Sequence, residues 1–503
     1  MEKFSSYGPI NTKIHYYVPR ESIITKAYHQ LIGESESEQG HYITIWAPRQ
    51  SGKTWIMQQV MVHLLKNDFY ETAMIDMQLA NNITTDQGML SYFITSLKEE
   101  IGRDLPAINE WEYLYQIFET KYFPRPLILI IDEFDALQEN FINKFATVFR
   151  AMHMHRIKKS AIENAEQHCM LHGLSLIGIR SVLGIENVSG SPFNVQRSVR
   201  IPNFTEKEVR YLLQSYETDS GQSIEPKVIE KTYDEFNGQP GLTSWFAELL
   251  TEQHNKTPDK EISTEDFNRV YSLALNALPN NNIINIISKA RAVPYKNQIL
   301  ELFKTDEKIK FNFNNPRLSY LYMLGVIGFD IFEDSIYYVK FHCPYVQKSL
   351  FNYFSEDLFQ TMGPLMEPFA PIDKIFMPQH IDIKALIRMY ESYLNKNKEW
   401  ILKDAPRRAD LRIYEAVYHF NLYMYLTRVI QSRGNVLPEF PTGNGKIDLI
   451  IKYNQSIYAL ELKSFSTLAH YHEAIDQAHD YACQLELSEI TLVFFIESIS
   501  DEY

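Results

Sequence analysis

Tyr42-Ile43-Thr44-Ile45-Trp46-Ala47-Pro48-Arg49-Gln50-Ser51-Gly52-Lys53-Thr54 is the stretch on which the reading of this 503-residue chain turns. An apolar run ends in a loop closing on Gly-Lys-Thr. Ile56, Val60 and Leu64 then recur at four-residue steps, as along one face of a helix. A strand, a loop and a helix N-terminus in that order form a cradle for phosphates. Backbone N–H groups line such a loop, and the helix end favours negative charge. Lys53 would reach the β- and γ-phosphates, and the Thr54 hydroxyl would bind Mg²⁺. The pattern usually opens on glycine, and Ala47 stands there. Alanine takes positive φ only at a cost, so the reading requires an extended backbone at Ala47.

A second stretch completes the first. Leu127-Ile128-Leu129-Ile130-Ile131-Asp132-Glu133 reads as a buried strand ending in two acids. Asp132 would hold Mg²⁺ through water, and Glu133 would polarise an attacking water. Working outward, strands are expected at 42–47, 72–77, 127–132, 174–179 and 198–201. Helices are expected at 53–66, 87–102, 108–120 and 136–160. Continuous apolar strands alternating with helices predict an α/β fold, a parallel sheet covered on both faces.

From 205 to 272 the pattern is helical, broken at Asn237-Gly238-Gln239-Pro240-Gly241. Residues 275–360 read as a small helical unit closing in a hairpin. A helix at 318–324 is ended by Gly325, and strands at 326–332 and 335–341 turn at Glu333 and Asp334, an order that suits a winged helix. Four prolines (Pro364, Pro368, Pro371, Pro378) make 361–380 a linker. Two long helical patterns follow, then strands at 446–452 and 456–463, a helix at 468–486 and a strand at 490–496. The expected domains are therefore 1–204, 205–273, 274–360, 361–380 and 381–503.

Bulk composition excludes several classes. Hydrophobic residues make up 45%, with only 19 glycines and 22 prolines, so the chain is neither fibrous nor largely disordered. No apolar run approaches the roughly 20 residues of a membrane span. MEKFSSYGPI lacks a basic region followed by an apolar stretch, so no secretory leader is expected and the chain reads as cytoplasmic. Cys169, Cys343 and Cys483 are odd in number and widely spaced, which suits neither disulfides nor zinc. His153/His155 and His168/His172 have spacings open to a metal, but nothing completes them, and they read as packed or solvated helix faces. Net charge is −14, which argues against a coat of non-specific DNA-binding charge. Half of that deficit falls in 205–270, whereas 396–433 carries eight basic and four acidic residues. The basic segment is compatible with a phosphate backbone or with a solvated helix face.

That basic segment precedes Gly445-Lys446-Ile447-Asp448-Leu449-Ile450 and Tyr458-Ala459-Leu460-Glu461-Leu462-Lys463. As adjacent antiparallel strands, these would bring Asp448 and Glu461 to one cation. Glu461 and Lys463, two apart, share a face, with Leu460 and Leu462 opposite. Two carboxylates bind Mg²⁺ together with its waters, and Lys463 could position an attacking water or stabilise developing negative charge.

On these residues the chain resembles two families. Over about 8–360 it is similar to AAA-like ATPases of the STAND and origin-recognition type, with APRQSGKT as Walker A and LILIIDEFD as Walker B. The resemblance implies that Arg20, in Val18-Pro19-Arg20-Glu21, helps frame the nucleotide base and that Pro240, in Gly238-Gln239-Pro240, touches the nucleotide. Pro48, Arg49, Gln50, Ser51, Gly52, Lys53 and Thr54 would hold ATP, and Asp132 and Thr54 would hold Mg²⁺. Arg180 stands where a sensor would lie, and Arg197 and Arg200 are guesses for an arginine finger. Over about 385–503 the chain resembles the PD-(D/E)XK nucleases, a restriction-endonuclease-like α/β fold. Asp448, Glu461 and Lys463 carry that motif. Glu415 matches an additional helix acid, and Gln477 with Tyr481 matches a Gln-x-x-x-Tyr helix; His479 is a candidate outer-shell residue. Asp448 and Glu461 would bind Mg²⁺ or Mn²⁺. The combination implies an ATP-regulated nuclease that forms a homo-oligomer, cuts DNA and answers an activating protein or a foreign element, as in antiviral defence. A STAND-type switch, or a DNA- or protein-binding scaffold with a non-catalytic nuclease fold, are the alternatives.

Overall fold

The computed structural model describes residues 2–6, 8, 10–33, 40–160, 169–178, 196–303, 309–332, 335–438, 448–454, 456–465, 468–484 and 487–496. The chain forms two compact units. One comprises Met1–Ala274 with Asn312–Gly325, the other Leu275–Phe311 with Val326–Tyr503.

In the first unit, β1 (Lys3–Phe4) and β2 (His15–Tyr16) pair and lead to α1 (Glu21–Ile32). Then come β3 (Tyr42–Trp46), α2 (Lys53–Leu64), β4 (Glu71–Asp76), α3 (Asp86–Ile101), β5 (Leu127–Asp132), α4 (Glu139–Ser160), β6 (Leu171–Gly178) and β7 (Gln196–Arg200). The last five strands form one parallel sheet in the order β4-β5-β6-β3-β7. Every residue of β3, β5 and β6 is buried, which is why they read as unbroken apolar runs. One core packs Leu127, Leu129 and Ile131 against Phe93, Phe145 and Phe149. On the other face Ile128, Ile130, Ile43 and Ile45 meet Ile56, Val60 and Leu31.

The helix expected at 108–120 is instead a 3₁₀ helix, Trp111–Phe118. Leu114 and Ile117, both fully buried, fall three residues apart in step with Trp111, matching three residues per turn rather than 3.6. His172, read as part of a helix face, lies on β6 and is 1% exposed. Residue 179, the expected end of that strand, lies outside the described residues, as does His168.

A helical segment follows: α5 (Glu206–Ser220), α6 (Pro226–Phe236), α7 (Pro240–Glu248) with a π turn at Leu249–Gln253, and α8 (Thr264–Asn276). Thr205 starts it with a capping box closed by Glu208. The chain then enters the second unit for α9 (Asn281–Ala290) and α10 (Tyr295–Leu302) and returns to the first for α11 (Pro316–Met323). The Arg200 guanidinium, between the Trp46 and Tyr322 rings at 5.8 and 4.8 Å, holds α11 against the sheet. The hairpin β8 (Ile327–Phe332) and β9 (Ile336–Phe341) opens the remainder of the second unit; its expected turn at Glu333 and Asp334 lies outside the described residues.

The second unit continues through α12 (Pro344–Phe359), α13 (Ile372–Ile375), α14 (Ile383–Ile401) and α15 (Glu415–Ile430). Then come β10 (Asn435–Pro438), β11 (Leu449–Tyr453), β12 (Ser456–Ser464), α16 (Leu468–Gln484) and β13 (Ile490–Phe495). The four strands form a sheet in sequence order, antiparallel through β12 and parallel between β12 and β13, with α16 as the crossover. The proline-rich stretch 361–380 is tied down along this unit. Tyr393 Oη donates to the Met362 carbonyl at 2.8 Å and Tyr453 Oη to that of Met377 at 2.9 Å. Among the described residues no helix is long and apolar enough to cross a membrane.

At the opposite end of the first sheet from the loop lies a buried basic cluster. His172 Nε2 faces the Ile32 carbonyl at 2.9 Å, so it carries the proton, and Nδ1 accepts from Arg156 Nη2 at 2.9 Å. The His153 ring lies 4.7 Å from that of Tyr42. Burial first, then the charges of Arg156 and His41, push both histidines down to about 4. Both stay neutral when folded and take up protons near 6.5 when unfolded, so their stabilisation is full above about pH 6.5 and is lost as pH falls toward 4. A shift of that size is on the order of 3 kcal/mol per group. His153→Phe should therefore lose less Tm than the parent between pH 7 and pH 4.5 in thermal melts. Equal losses would show that His153 is not an acid-sensitive element.

Candidate functional site

The loop after β3 is shaped by two left-handed residues, Gln50 (φ 56°) and Gly52 (φ 80°); Ala47 has no positive φ, as its side chain requires. Gly52 turns the chain into α2, and Lys53 opens the helix. Lys53 Nζ donates to the Ala47 and Pro48 carbonyls, both at 3.0 Å. Burial lowers its pKa, opposed by the charges of Asp135, Glu133 and Asp132. Thr54 Oγ1 donates to Asp132 Oδ2 at 2.7 Å, bridging from the helix start to the end of β5. The other Asp132 oxygen accepts from Glu133 N at 2.9 Å. Glu133 is itself left-handed (φ 50°), which turns its side chain off the strand line. Burial raises the carboxyls of both acids, and neighbouring acids add to the rise at Glu133.

These groups border a cavity of about 660 Å³ that Arg49, Gln50, Ser51, Arg20 and Pro240 also line. Ser51 is buried, and its hydroxyl has no hydrogen-bond partner among the described residues. A buried hydroxyl at a helix N-terminus, beside a lysine and a Thr–Asp pair, fits a Mg²⁺-bound phosphate chain. Asp76, at the end of β4, and Asp135 border the same space. Both were missed as site residues, although acids at the carboxyl ends of parallel strands mark this edge.

Arg20 lines the cavity, but its guanidinium is engaged elsewhere. Nη1 donates to the Pro202 carbonyl at 2.7 Å and Nη2 to that of Asn203 at 3.2 Å, while Nε lies 3.2 Å from Glu208. Its charge also lies 5.3 Å from the Phe204 ring centre. Neither guessed finger reaches the cavity: Arg197 donates to Gln30 at 3.2 Å, and Arg200 holds α11. Arg180 lies outside the described residues.

In the second unit, the β11–β12 register sets Leu449 opposite Leu460, so Asp448 comes next to Glu461. Asp448 Oδ2 accepts from Leu462 N at 2.7 Å, and Lys463 Nζ lies 3.2 Å from Glu461 Oε1. Glu415, at the start of α15, accepts from Ser464 N at 3.3 Å. His419, one turn on, lies 3.6 Å from Glu415 and was not singled out, though its i,i+4 spacing was visible. Asp448, Glu461, Lys463, Glu415 and His419 are all buried, Glu461 completely. Among the described residues no three His, Cys, Asp or Glu side chains have a metal-binding arrangement. Gln477 and Tyr481 lie on α16, but their side chains are outside the described residues, as are Gly445, Lys446 and Ile447. His479 is exposed and contacts Cys483 at 3.9 Å.

A family model described as an AAA-like domain matches residues 5–278. None of the curated proteins matches the chain. Among solved structures, the chain is similar to the Walker-type ATPase paby2304 of Pyrococcus abyssi, with 13% identity over 69% of this chain and 99% of that one and a TM-score of 0.45. The ORC2 protein of Aeropyrum pernix, in ADPNP–ADP complexes, is 14% identical over 68% of this chain and 96% of that one, with a TM-score of 0.40. The RuvB Holliday junction branch migration motor of Thermotoga maritima is 13% identical over 62% and 89%, with a TM-score of 0.35.

Removing the Arg20 side chain would leave Glu208 and two carbonyls without this partner. Arg20→Ala should cost roughly 2–4 kcal/mol in denaturant unfolding without nucleotide. A variant as stable as the parent under those conditions would assign Arg20 to the ligand instead.

Proposed function

The chain belongs to the AAA-like domain family, and from that premise we propose that it couples an ATP-hydrolysing module to a metal-dependent nuclease domain acting on DNA. The observation that carries the ATPase reading is the 2.7 Å bond from Thr54 to Asp132, which unites the phosphate loop with the acid-tipped strand. Lys53 and the loop N–H groups would bind the phosphates, and Thr54 and Asp132 would hold Mg²⁺, which neutralises phosphate charge when bound. Glu133 would take the proton of an attacking water. The helical segment after residue 205 acts as a lid, with Pro240 against the nucleotide.

The nuclease reading is supported by the order helix, three antiparallel strands, helix, parallel strand, which gathers Asp448, Glu461, Lys463 and Glu415. Asp448 and Glu461 would bind Mg²⁺ or Mn²⁺, a cation that offsets the charge of a phosphodiester under attack. Lys463 would orient water, and Glu415 would hold the end of β12. The segment 274–360 would act as a winged helix that meets DNA or protein. A second reading, a nuclease fold used for binding alone, is favoured by one observation: the Asp448 carboxylate accepts from the Leu462 amide, and among the described residues no three-ligand metal site forms.

Lys53→Ala should weaken ATP binding at least tenfold, and Glu133→Gln should keep binding while lowering kcat by about 100-fold or more. Glu133 works ionised and its pKa is raised, so ATPase activity should fall with acid already above the usual carboxylate range. A flat profile there, together with full activity in Glu133→Gln, would remove Glu133 as the base. Asp448→Ala should abolish Mg²⁺- or Mn²⁺-dependent plasmid cleavage. Cleavage absent from the parent as well leaves two readings, an activating partner missing from the assay or a nuclease fold kept for binding alone.

A further inference from the structure

Gln239 lies between Gly238 and Pro240 and is 1% exposed. Its side chain makes contacts in two directions. Oε1 accepts from Leu242 N at 2.5 Å and so caps α7. Nε2 donates out of the lid, to the Arg49 carbonyl at 2.9 Å and the Gln50 carbonyl at 3.4 Å. Gly241 N adds a bond to the Gln50 carbonyl at 2.9 Å. The approach is close: a Cβ on Gly241 would meet Gln50 Cβ at 2.4 Å. The turn is held from behind as well, by Phe204 N to the Gly238 carbonyl at 2.7 Å and Asn203 Nδ2 to the Asn237 carbonyl at 2.8 Å.

Gln50 is the loop residue whose conformation needs an explanation. It sits at φ 56°, a region disfavoured for any residue with a Cβ. In that conformation its carbonyl faces the lid and receives both donors. Left alone, the residue would relax to a common basin, and the N–H groups of Ser51 to Thr54 would turn with it.

We infer that Gln239 is a positioning residue for the phosphate loop, holding Gln50 left-handed by donating to the loop's own carbonyls. It need not touch phosphate. The lid and the loop then form one unit: lid closure sets the loop for binding, and lid opening releases it. The inference rests on the nucleotide-binding reading of the loop and adds to it the group outside the loop that sets its shape.

The test measures ATP affinity of the full chain by calorimetry with Mg²⁺. Gln239→Glu keeps an acceptor for Leu242 N but turns an oxygen toward the loop carbonyls. Gln239→Ser keeps a good helix cap but cannot reach the loop. Both should bind ATP at least tenfold more weakly than the parent. Glycine takes positive φ freely, so adding Gln50→Gly to Gln239→Ser should recover at least threefold. Thermal melts without nucleotide control for folding. Affinities within twofold of the parent in both single variants overturn the inference, as does a loss that Gln50→Gly does not recover. If the parent binds ATP no better than Lys53→Ala, the nucleotide-binding reading itself fails, and the inference falls with it.

Discussion

The hydrogen bond from Thr54 to Asp132 is the interaction on which the first unit depends. Its partners do not come from neighbouring strands. Thr54 follows β3, Asp132 ends β5, and β6 runs between them. The 2.7 Å contact therefore exists only if three parallel strands keep register from Tyr42–Leu174 at one end to Ile131–Leu176 near the other. That register is held by burial on both faces. A shift of one residue would turn the Leu127, Leu129 and Ile131 set away from the aromatic cluster on α3 and α4. Core packing is thus what brings a hydroxyl and a carboxylate together at the loop.

The same edge of the sheet collects charge. Asp76, Asp132, Glu133 and Asp135 gather around the partly buried Lys53, and desolvation pushes Lys53 down and the Asp132 and Glu133 carboxyls up. Desolvation costs both signs of charge, so a ligand that brings a cation to the buried Asp132 would offset part of that cost. The helical segment closes the arrangement by a different means. It meets the loop through backbone carbonyls, at a distance that only glycine at 241 permits.

In the second unit the polar groups hold the strands as well as facing each other. Asp448 grips the amide of Leu462 and Glu415 that of Ser464, so β12 is anchored on alternate residues by carboxylates from β11's edge and from α15. Lys463 lies between those anchors and Glu461 just before them, and both are buried, as Leu460 and Leu462 are. A buried ion pair contributes little net stability by itself, since desolvation offsets most of the attraction. Its presence near the end of β12 therefore needs a reason other than packing.

By itself the sequence determined the parallel sheet and the two acid-bearing motifs. Unbroken apolar runs between amphipathic helices leave few other arrangements, and Gly-Lys-Thr after a strand is a local feature that neighbours do not alter. The antiparallel hairpin of β11 and β12, with Asp448 beside Glu461, was legible for the same reason. The 3₁₀ turn at Trp111–Phe118 was not, because periods of 3.0 and 3.6 differ little over eight residues. Nor was the placement of His172, since a strand's start cannot be located to within a few residues from pattern alone. The tasks of Arg20 and Gln239 were decided only by tertiary structure. Arg20 meets carbonyls 182 and 183 residues away, and Gln239 meets carbonyls 190 and 189 residues away. A side chain's residue type shows what it can donate, but only the folded chain brings the acceptor within reach.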